Sequence, residues 1–152
     1  MIKTNLTRFL LPVAQPTLAS AALLVLRLIV GTAFVIHGWG KIQTPVSWNP
    51  PESPIVIPAF FQFLATISEF GGGIGWILGF LTPIASFGIG CTMTVAVYLV
   101  AMVLKSPFVN MTGGISYELP LVYLGIALVF LVLGPGKFSL DKNIFGERTR
   151  EK

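Results

Sequence analysis

Two charged residues, Arg27 and Glu69, lie near the middle of apolar segments that are long enough to cross a lipid bilayer. A charged side chain at that depth is costly unless it faces a partner or a water-filled cavity, so it marks a candidate functional site. At about 1.5 Å per residue, Arg27 lies about 10 Å from one surface and Glu69 about 15 Å from the other. Because each would otherwise be unpaired in lipid, we predict a buried ion pair between them.

Three further ionisable residues, His37, Lys41 and Glu118, lie nearer the predicted outer surface. Residues three or four apart share one face of a helix, and this spacing defines three stripes. They are Arg27, Gly31, Phe34, Gly38 and Lys41, flanked by His37; Glu69, Gly73, Trp76 and Phe80; and Glu118, Leu121 or Val122, Gly125 and Val129. We predict that these stripes meet in the interior as a polar column that opens outward.

A histidine near a carboxylate suits proton exchange with a lipid-soluble quinone, whose carbonyls need hydrogen-bond donors and whose ring needs apolar walls. The candidate wall residues are aromatic: Phe34, Trp39, Phe70 and Trp76. The same side chains would equally suit a lipid-facing surface or an ordinary core.

Metal and thiol chemistry are disfavoured by the residue types. The single histidine belongs to no HxxxH or ExxH pair, and the sequence has no CxxC pair, so a metal site is not expected. The single cysteine, Cys91, excludes an internal disulfide and a self-contained iron–sulfur centre. Its small apolar neighbours predict a buried, inert thiol. We therefore expect neither a metal nor a covalently attached cofactor.

The composition is that of a membrane protein. Of the 152 residues, 54% are hydrophobic and 11% are charged, and the mean hydropathy is +0.83; these values exclude an ordinary soluble domain. The net charge of +4 comes mainly from basic residues at the two ends of the chain, as in positive-inside anchoring. The expected partner is thus the lipid bilayer and not a nucleic acid.

Four apolar segments predict the fold class, an all-α, membrane-spanning four-helix bundle. The expected helices cover about 17–41, 58–80, 83–104 and 116–133. Together they form one domain at 17–135, which lies between a cytoplasmic or interfacial N-terminal tail at 1–16 and a basic cytoplasmic C-terminal tail at 136–152. Both termini are predicted to be cytoplasmic because that side then holds most of the basic residues, namely Lys3, Arg8, Lys137, Lys142, Arg148, Arg150 and Lys152.

Local signals refine this organisation. Pro12 and Pro16 interrupt the first apolar run, so a retained tail is favoured over a cleaved signal peptide. Thr82 followed by Pro83 predicts an N-cap and the first residue of the third helix. Small residues recur every four positions, which predicts close helix packing; they are Gly71, Gly75 and Gly79 in the second segment and Ser86, Gly90 and Thr94 in the third.

An ordered set of motifs along the chain resembles the DoxX family of small four-helix membrane proteins. The set begins with Arg27-Leu28-Ile29-Val30-Gly31, Phe34, His37-Gly38 and Lys41, and continues with Glu69-Phe70-Gly71-Gly72 and Gly79-Phe80-Leu81-Thr82. It ends with Gly113-Gly114, Tyr117-Glu118-Leu119 and Gly134-Pro135-Gly136-Lys137-Phe138-Ser139-Leu140-Asp141. The positions matching the polar motif residues of the family are Arg27, His37, Lys41, Glu69 and Glu118.

The resemblance implies a multi-pass protein of the prokaryotic cytoplasmic (inner) membrane that works with redox systems. Some members of the family resemble the small subunit of a thiosulfate:quinone oxidoreductase, and others join membrane-bound oxidoreductase complexes. Protein subunits of such a complex are therefore expected partners, and a quinone is the expected dissociable cofactor. Whether this chain is itself catalytic stays open.

The leading interpretation is a membrane subunit of a redox complex that handles a quinone or a small sulfur compound in an intramembrane polar pocket. The candidate catalytic residues are His37, Glu69 and Glu118. The candidate residues for binding substrate or quinone are Arg27, Lys41, Trp39, Trp76 and Tyr117. Two alternatives use the same residues differently: a small transporter or channel for a solute or for protons, and a non-catalytic scaffold that anchors partner proteins.

Overall fold

The computed structural model of the protein describes Leu11 and residues 13–146. The predictions for Lys3, Arg8, Arg148, Arg150 and Lys152, and for most of the N-terminal tail, concern residues outside this range. The regular elements of the described range are helical, which confirms the all-α prediction there.

Six α-helices and two π-helical segments follow one another in the described part of the chain. They are α1 (Thr17–Gln43), α2 (Ala59–Thr66), π1 (Ile67–Gly71), α3 (Gly72–Leu78), α4 (Thr82–Tyr98), π2 (Leu99–Val103), α5 (Glu118–Leu133) and α6 (Leu140–Phe145). The elements α2, π1 and α3 form one continuous rod over residues 59–78, which we call the second rod. Helix α1 and the helix Thr82–Val103 are long and apolar enough to cross a membrane, and α5 is a shorter apolar helix.

Helix α1 packs along α3 and π1 of the second rod, and glycines make this contact close. A methyl group added at Gly31 would lie 2.9 Å from the carbonyl oxygen of Gly73, and one added at Gly38 would lie 2.6 Å from the backbone nitrogen of Phe70. The predicted stripe on α1 is confirmed as the buried face, since Arg27, Gly31, Phe34 and Gly38 are all buried. In a lipid environment, this absence of side chains allows the backbone contact that holds two helices together.

The glycine stripe predicted on the second rod is wrong as a single packing face. A methyl group at Gly71 would meet no neighbour closer than 4.0 Å, and that neighbour is Ile67 of its own helix. Gly73 faces α1, whereas Gly75 lies beside the backbone of Phe80 and the side chain of Ala85. The rod is packed on two sides by different helices, so one four-residue repeat cannot describe its contacts.

The core lies where α3, α4 and α5 converge on α1. Trp76 is fully buried there; its ring contacts Phe34 and Phe130 edge-on, with ring centroids 5.4 Å and 4.9 Å away. Its indole N–H donates to Ser86 Oγ at 2.9 Å, so the polar atom of a buried tryptophan is satisfied. Trp76 is therefore a core residue, which is one of the roles that the sequence analysis left open for it.

The stripe predicted on α5 is wrong. Its members Glu118, Leu121, Val122, Gly125 and Val129 are all exposed. Helix α5 instead turns Tyr123, Ala127 and Phe130 toward the core. The helix is apolar on nearly every side, so its hydrophobic pattern does not select a face.

The connection between the second rod and α4 is a tight turn that α6 stabilises. Gly79 and Leu81 have positive φ angles of 63° and 48°. The backbone N–H groups of Leu81 and Thr82 donate to the two carboxylate oxygens of Asp141, at 2.7 Å and 2.9 Å. The predicted N-cap role of Thr82 is therefore wrong, because the carboxylate that caps α4 comes from Asp141 and the Thr82 hydroxyl makes no hydrogen bond within the described residues.

The geometry of this turn predicts that one methyl group added at Gly79 strongly lowers the stability of the protein. We expect Gly79→Ala to lower the free energy of unfolding by about 2 kcal/mol or more, because alanine is strained at positive φ and its Cβ would overlap other atoms. That Cβ would lie 2.6 Å from Cβ of Ser139 and 2.7 Å from a guanidinium nitrogen of Arg27. The measurement is unfolding of the purified protein in mixed detergent micelles. Gly125→Ala is the control, since a methyl group there meets no described atom within 4 Å.

Candidate functional site

Arg27 is buried, but it does not pair with Glu69, so the predicted ion pair is wrong. The guanidinium donates to four backbone carbonyls: those of Trp76 and Pro135 at 2.8 Å and 2.7 Å, and those of Ile77 and Phe138 at 3.2 Å and 3.0 Å. Trp76 and Ile77 lie in the last turn of α3, whose carbonyls have no partner within their own helix. Arg27 thus joins the end of α3 to the segment between α5 and α6, and its hydrogen-bonding groups are directed at the backbone rather than at a cavity.

Glu69 pairs with Lys41. The Lys41 Nζ lies 2.6 Å from Glu69 Oε1, and the two side chains are 25% and 5% exposed, respectively. The same ammonium lies 4.5 Å from the centroid of the Trp48 ring, within the range of a cation–π interaction. The charges that the sequence placed inside the protein therefore form two separate polar centres, one around Arg27 and one around Lys41 and Glu69.

The π-helical segment π1 presents Glu69 to Lys41. A π turn inserts extra backbone into an α-helix and is common at functional sites. It shifts the angular position of Glu69 relative to the regular 3.6-residue repeat on which the sequence analysis relied. The missing side chain of Gly38 lets π1 approach α1 at Phe70, and Lys41 follows one turn later on α1. The local geometry of both helices therefore brings the two charges together.

A large cavity of about 640 Å³ lies beside the ion pair. Its walls come from the second rod, the helix Thr82–Val103 and the segment between α1 and α2. Most wall residues are apolar, and the polar ones include Lys41, Ser68, Glu69, Cys91 and Thr92. Cavities of this size with a few converging polar groups are typical binding sites for small molecules. We call it the large cavity.

The thiol of Cys91 lies in the wall of the large cavity and is exposed. The prediction of a buried thiol is therefore wrong. The small residues around Cys91 in the sequence suggested close packing, but in the structure this part of α4 faces the large cavity.

A second, smaller cavity of about 210 Å³ shares Lys41 and Glu69 with the first. Its wall also contains His37 and Tyr123, together with Phe34, Met93, Ala96, Leu119 and Pro120. We call it the small cavity. The ion pair thus separates a mostly apolar space from a space that contains an imidazole and a phenol, which are both groups able to exchange protons.

The other predicted site residues are not among the wall residues of either cavity. Glu118 is exposed at the first residue of α5. Tyr117 packs its ring on Phe108, with centroids 5.4 Å apart. Trp39 is 59% exposed on α1 and contacts Phe70, whereas Trp76 belongs to the core. Of the predicted set, the structure brings together His37, Lys41 and Glu69.

Sequence reasoning missed Trp48 and Tyr123 as wall residues of the two cavities. Trp48 lies in a proline-rich loop, where a tryptophan is typical of a membrane-interface anchor. Tyr123 lies on α5 beside the incorrectly predicted stripe. Among the described residues, no group of three or more His, Cys, Asp and Glu side chains could hold a metal ion.

These features define a helical membrane protein whose interior holds an ion pair between two cavities. Comparison with known proteins identifies the family to which the chain belongs. It belongs to the DoxX family, because the sequence model of that family, described as DoxX, matches residues 22–102. The resemblance drawn from the motifs is thereby confirmed.

Two relatives cover most of the chain. The chain is 30% identical over 126 residues to the "Inner membrane protein YqjF" of Escherichia coli (strain K12), a match that covers 82% of this chain and 93% of that protein. It is also 30% identical over 123 residues to the "Putative oxidoreductase CatD" of Bacillus subtilis (strain 168), covering 79% and 90%. No solved structure is significantly similar to the chain.

Proposed function

We propose that the protein is a membrane subunit of a redox complex and that it handles a quinone or a small sulfur compound at the Lys41–Glu69 pair. The observation that carries this proposal is the large cavity, in which one ion pair lies against mostly apolar walls. A ligand with an apolar body and a polar, hydrogen-bonding end matches such a site. The name of the Bacillus subtilis relative supports a link to redox chemistry.

The proposed membrane arrangement has four spans with both termini in the cytoplasm. The second rod contains segments of 8, 5 and 7 residues, which at about 1.5 Å per residue reach about 30 Å, the thickness of the hydrocarbon core. Basic residues Lys137 and Lys142 follow α5, and the positive-inside rule then puts that end in the cytoplasm. The Escherichia coli relative, an inner membrane protein by name, supports the same membrane for this chain.

In this proposal each polar or aromatic residue near the ion pair has a separate role that follows from its position. Lys41 donates a hydrogen bond to a carbonyl or an oxyanion of the ligand, and the Glu69 carboxylate accepts one from a hydroxyl group. His37 exchanges protons between the small cavity and the outer aqueous phase. Trp48 provides an aromatic wall. Electrons would come from, or go to, another subunit of the complex.

The test is a binding titration with two probes, decylubiquinone and thiosulfate, on the detergent-purified protein. We expect saturable quenching of tryptophan fluorescence by one of them, together with slower reaction of Cys91 with a maleimide. Lys41→Met should weaken this binding about tenfold or more, as is typical when a hydrogen bond to a charged group is lost. Lys105→Met is the matched control, because Lys105 is exposed and outside the walls of both cavities. Absence of saturable binding of both probes would refute the proposal.

A transport function has weaker support from the geometry. The two cavities meet at the ion pair, which gives a path for protons part of the way through the molecule. Toward the end of the bundle that holds Arg27, the interior is filled by the buried side chains of Phe34, Trp76 and Arg27. Proton flux into proteoliposomes that Glu69→Gln abolishes would favour transport over ligand handling.

A further inference from the structure

The segment between α1 and α2 forms one wall of the large cavity. We call residues 44–58 the outer loop. Four of its residues that precede Ile57 are prolines, at positions 45, 50, 51 and 54, and proline has no backbone N–H to donate. The outer loop nevertheless places Trp48, Ile55, Val56 and Ile57 against the cavity. Within the loop, the side-chain amide of Asn49 donates to the carbonyl of Ile55 at 2.9 Å; the position of the loop against the second rod depends on contacts with residues of α2.

Gln62 supplies three of the contacts between α2 and the outer loop, and the hydroxyl of Thr66 supplies another, to the carbonyl of Pro45 at 3.3 Å. Its side-chain oxygen accepts a hydrogen bond from the backbone N–H of Asn49 at 3.0 Å, and its side-chain amide donates to the carbonyl of Ile57 at 2.8 Å. Its own backbone carbonyl accepts the indole N–H of Trp48 at 3.0 Å. Gln62 is only 6% exposed, and a buried amide is stable only when such partners are present. Glutamine suits this position because one side chain provides both a donor and an acceptor.

The hydrogen bonds fix the position of Trp48 relative to the ion pair. The indole N–H is bound to Gln62, while Lys41 Nζ lies 4.5 Å from the ring centroid. Trp48 is therefore held at both its edge and its face. The result is an aromatic surface in the large cavity next to the ammonium that the proposed function assigns to ligand binding.

We infer that Gln62 is the positioning residue of the site, which holds the outer loop so that Trp48 contacts a planar, ring-containing ligand in the large cavity. This inference rests on the proposed function for the ligand. The position of Trp48 itself can be tested without any ligand. Gln62 does not line the large cavity among its described wall residues, so it acts through Trp48.

The experiment replaces Gln62 by methionine, which keeps the length and apolar volume of the side chain and removes both of its hydrogen bonds. The background carries Trp39→Phe, so that emission comes from Trp48 and from the fully buried Trp76. We expect the Trp48 emission to shift to longer wavelength, Cys91 to react faster with a maleimide, and the Kd for decylubiquinone to rise about tenfold. Gln43→Met is the matched control, since Gln43 is exposed at the end of α1.

A second variant protects the test against a folding defect in the first. Trp48→Phe keeps an aromatic ring but removes the N–H that donates to the backbone carbonyl of Gln62, a bond that Gln62→Met retains, so it should also weaken decylubiquinone binding and speed the reaction of Cys91. Unchanged emission, Cys91 reactivity and Kd in Gln62→Met would overturn the inference while leaving the proposed function intact. If the wild-type protein binds thiosulfate but not decylubiquinone, the planar-ligand part of the inference fails and the proposed function stands; if it binds neither probe, both fail. Emission and Cys91 reactivity then decide whether Gln62 holds the outer loop.

Discussion

Arg27→Met is expected to prevent accumulation of the folded protein. The guanidinium donates to four carbonyls from two separate parts of the chain. Methionine would remove the donor from the buried or half-buried carbonyls of Ile77, Pro135 and Phe138, whereas the Trp76 carbonyl would keep the Gly79 N–H. An unsatisfied buried hydrogen-bonding group costs about 1–3 kcal/mol, so the combined loss for three carbonyls should reach about 3 kcal/mol or more, a large part of the stability of a small protein. The measurement is the yield of monodisperse protein by size-exclusion chromatography in detergent, with its apparent melting temperature.

Arg27→Lys should recover only a small part of this loss. A lysine ammonium is a compact point charge, whereas the planar guanidinium reaches carbonyls on several sides at once. Lys137→Met is the control at the same end of the molecule, because Lys137 makes an exposed hydrogen bond of 3.4 Å to Thr17. A melting temperature of Arg27→Met equal to that of the wild type would show that these carbonyls do not depend on Arg27.

The contrast between Arg27 and Glu69 explains which part of the site could be predicted from the sequence. Both residues were identified as buried charges because charge within an apolar segment has few stable environments. The partner of Glu69 could not be identified, since a regular 3.6-residue repeat ignores the extra backbone that π1 inserts. Nor does the sequence show that carbonyls at the end of α3 and in the segment between α5 and α6 converge on Arg27.

Local sequence patterns predicted the buried face of α1 correctly. They failed where a distant part of the chain supplies the interaction. The 3.6-residue repeat of small and polar residues on α1 contrasts with its apolar remainder, so its buried face could be predicted. Helix α5 lacks such contrast. At Thr82 the local capping rule predicted that the threonine itself caps α4. The N–H groups at the start of α4 are instead bound by the carboxylate of Asp141, which is distant in sequence and accepts two of them. The same limitation applies to Trp48, whose place depends on Gln62.

Neutralising one member of the Lys41–Glu69 pair is expected to destabilise the protein more than neutralising both. Lys41→Met leaves the Glu69 carboxylate 95% buried without its cation, since the side chain is only 5% exposed. Breaking a buried ion pair in this way typically costs about 3–5 kcal/mol, whereas replacing both members by neutral groups is often tolerated. We therefore expect the double variant Lys41→Met/Glu69→Gln to regain most of the stability that Lys41→Met loses.

A double-mutant cycle measures this coupling directly. Unfolding in mixed detergent micelles should give a coupling energy of about 2 kcal/mol or more for Lys41 with Glu69, and a value near zero for Lys105→Met with Glu69→Gln. Purely additive effects of Lys41→Met and Glu69→Gln would contradict a stabilising pair. Binding separates structure from function in the same proteins. A double variant that is stable yet binds neither decylubiquinone nor thiosulfate would assign the charges to the ligand, whereas one that is stable and binds normally would assign them to folding alone.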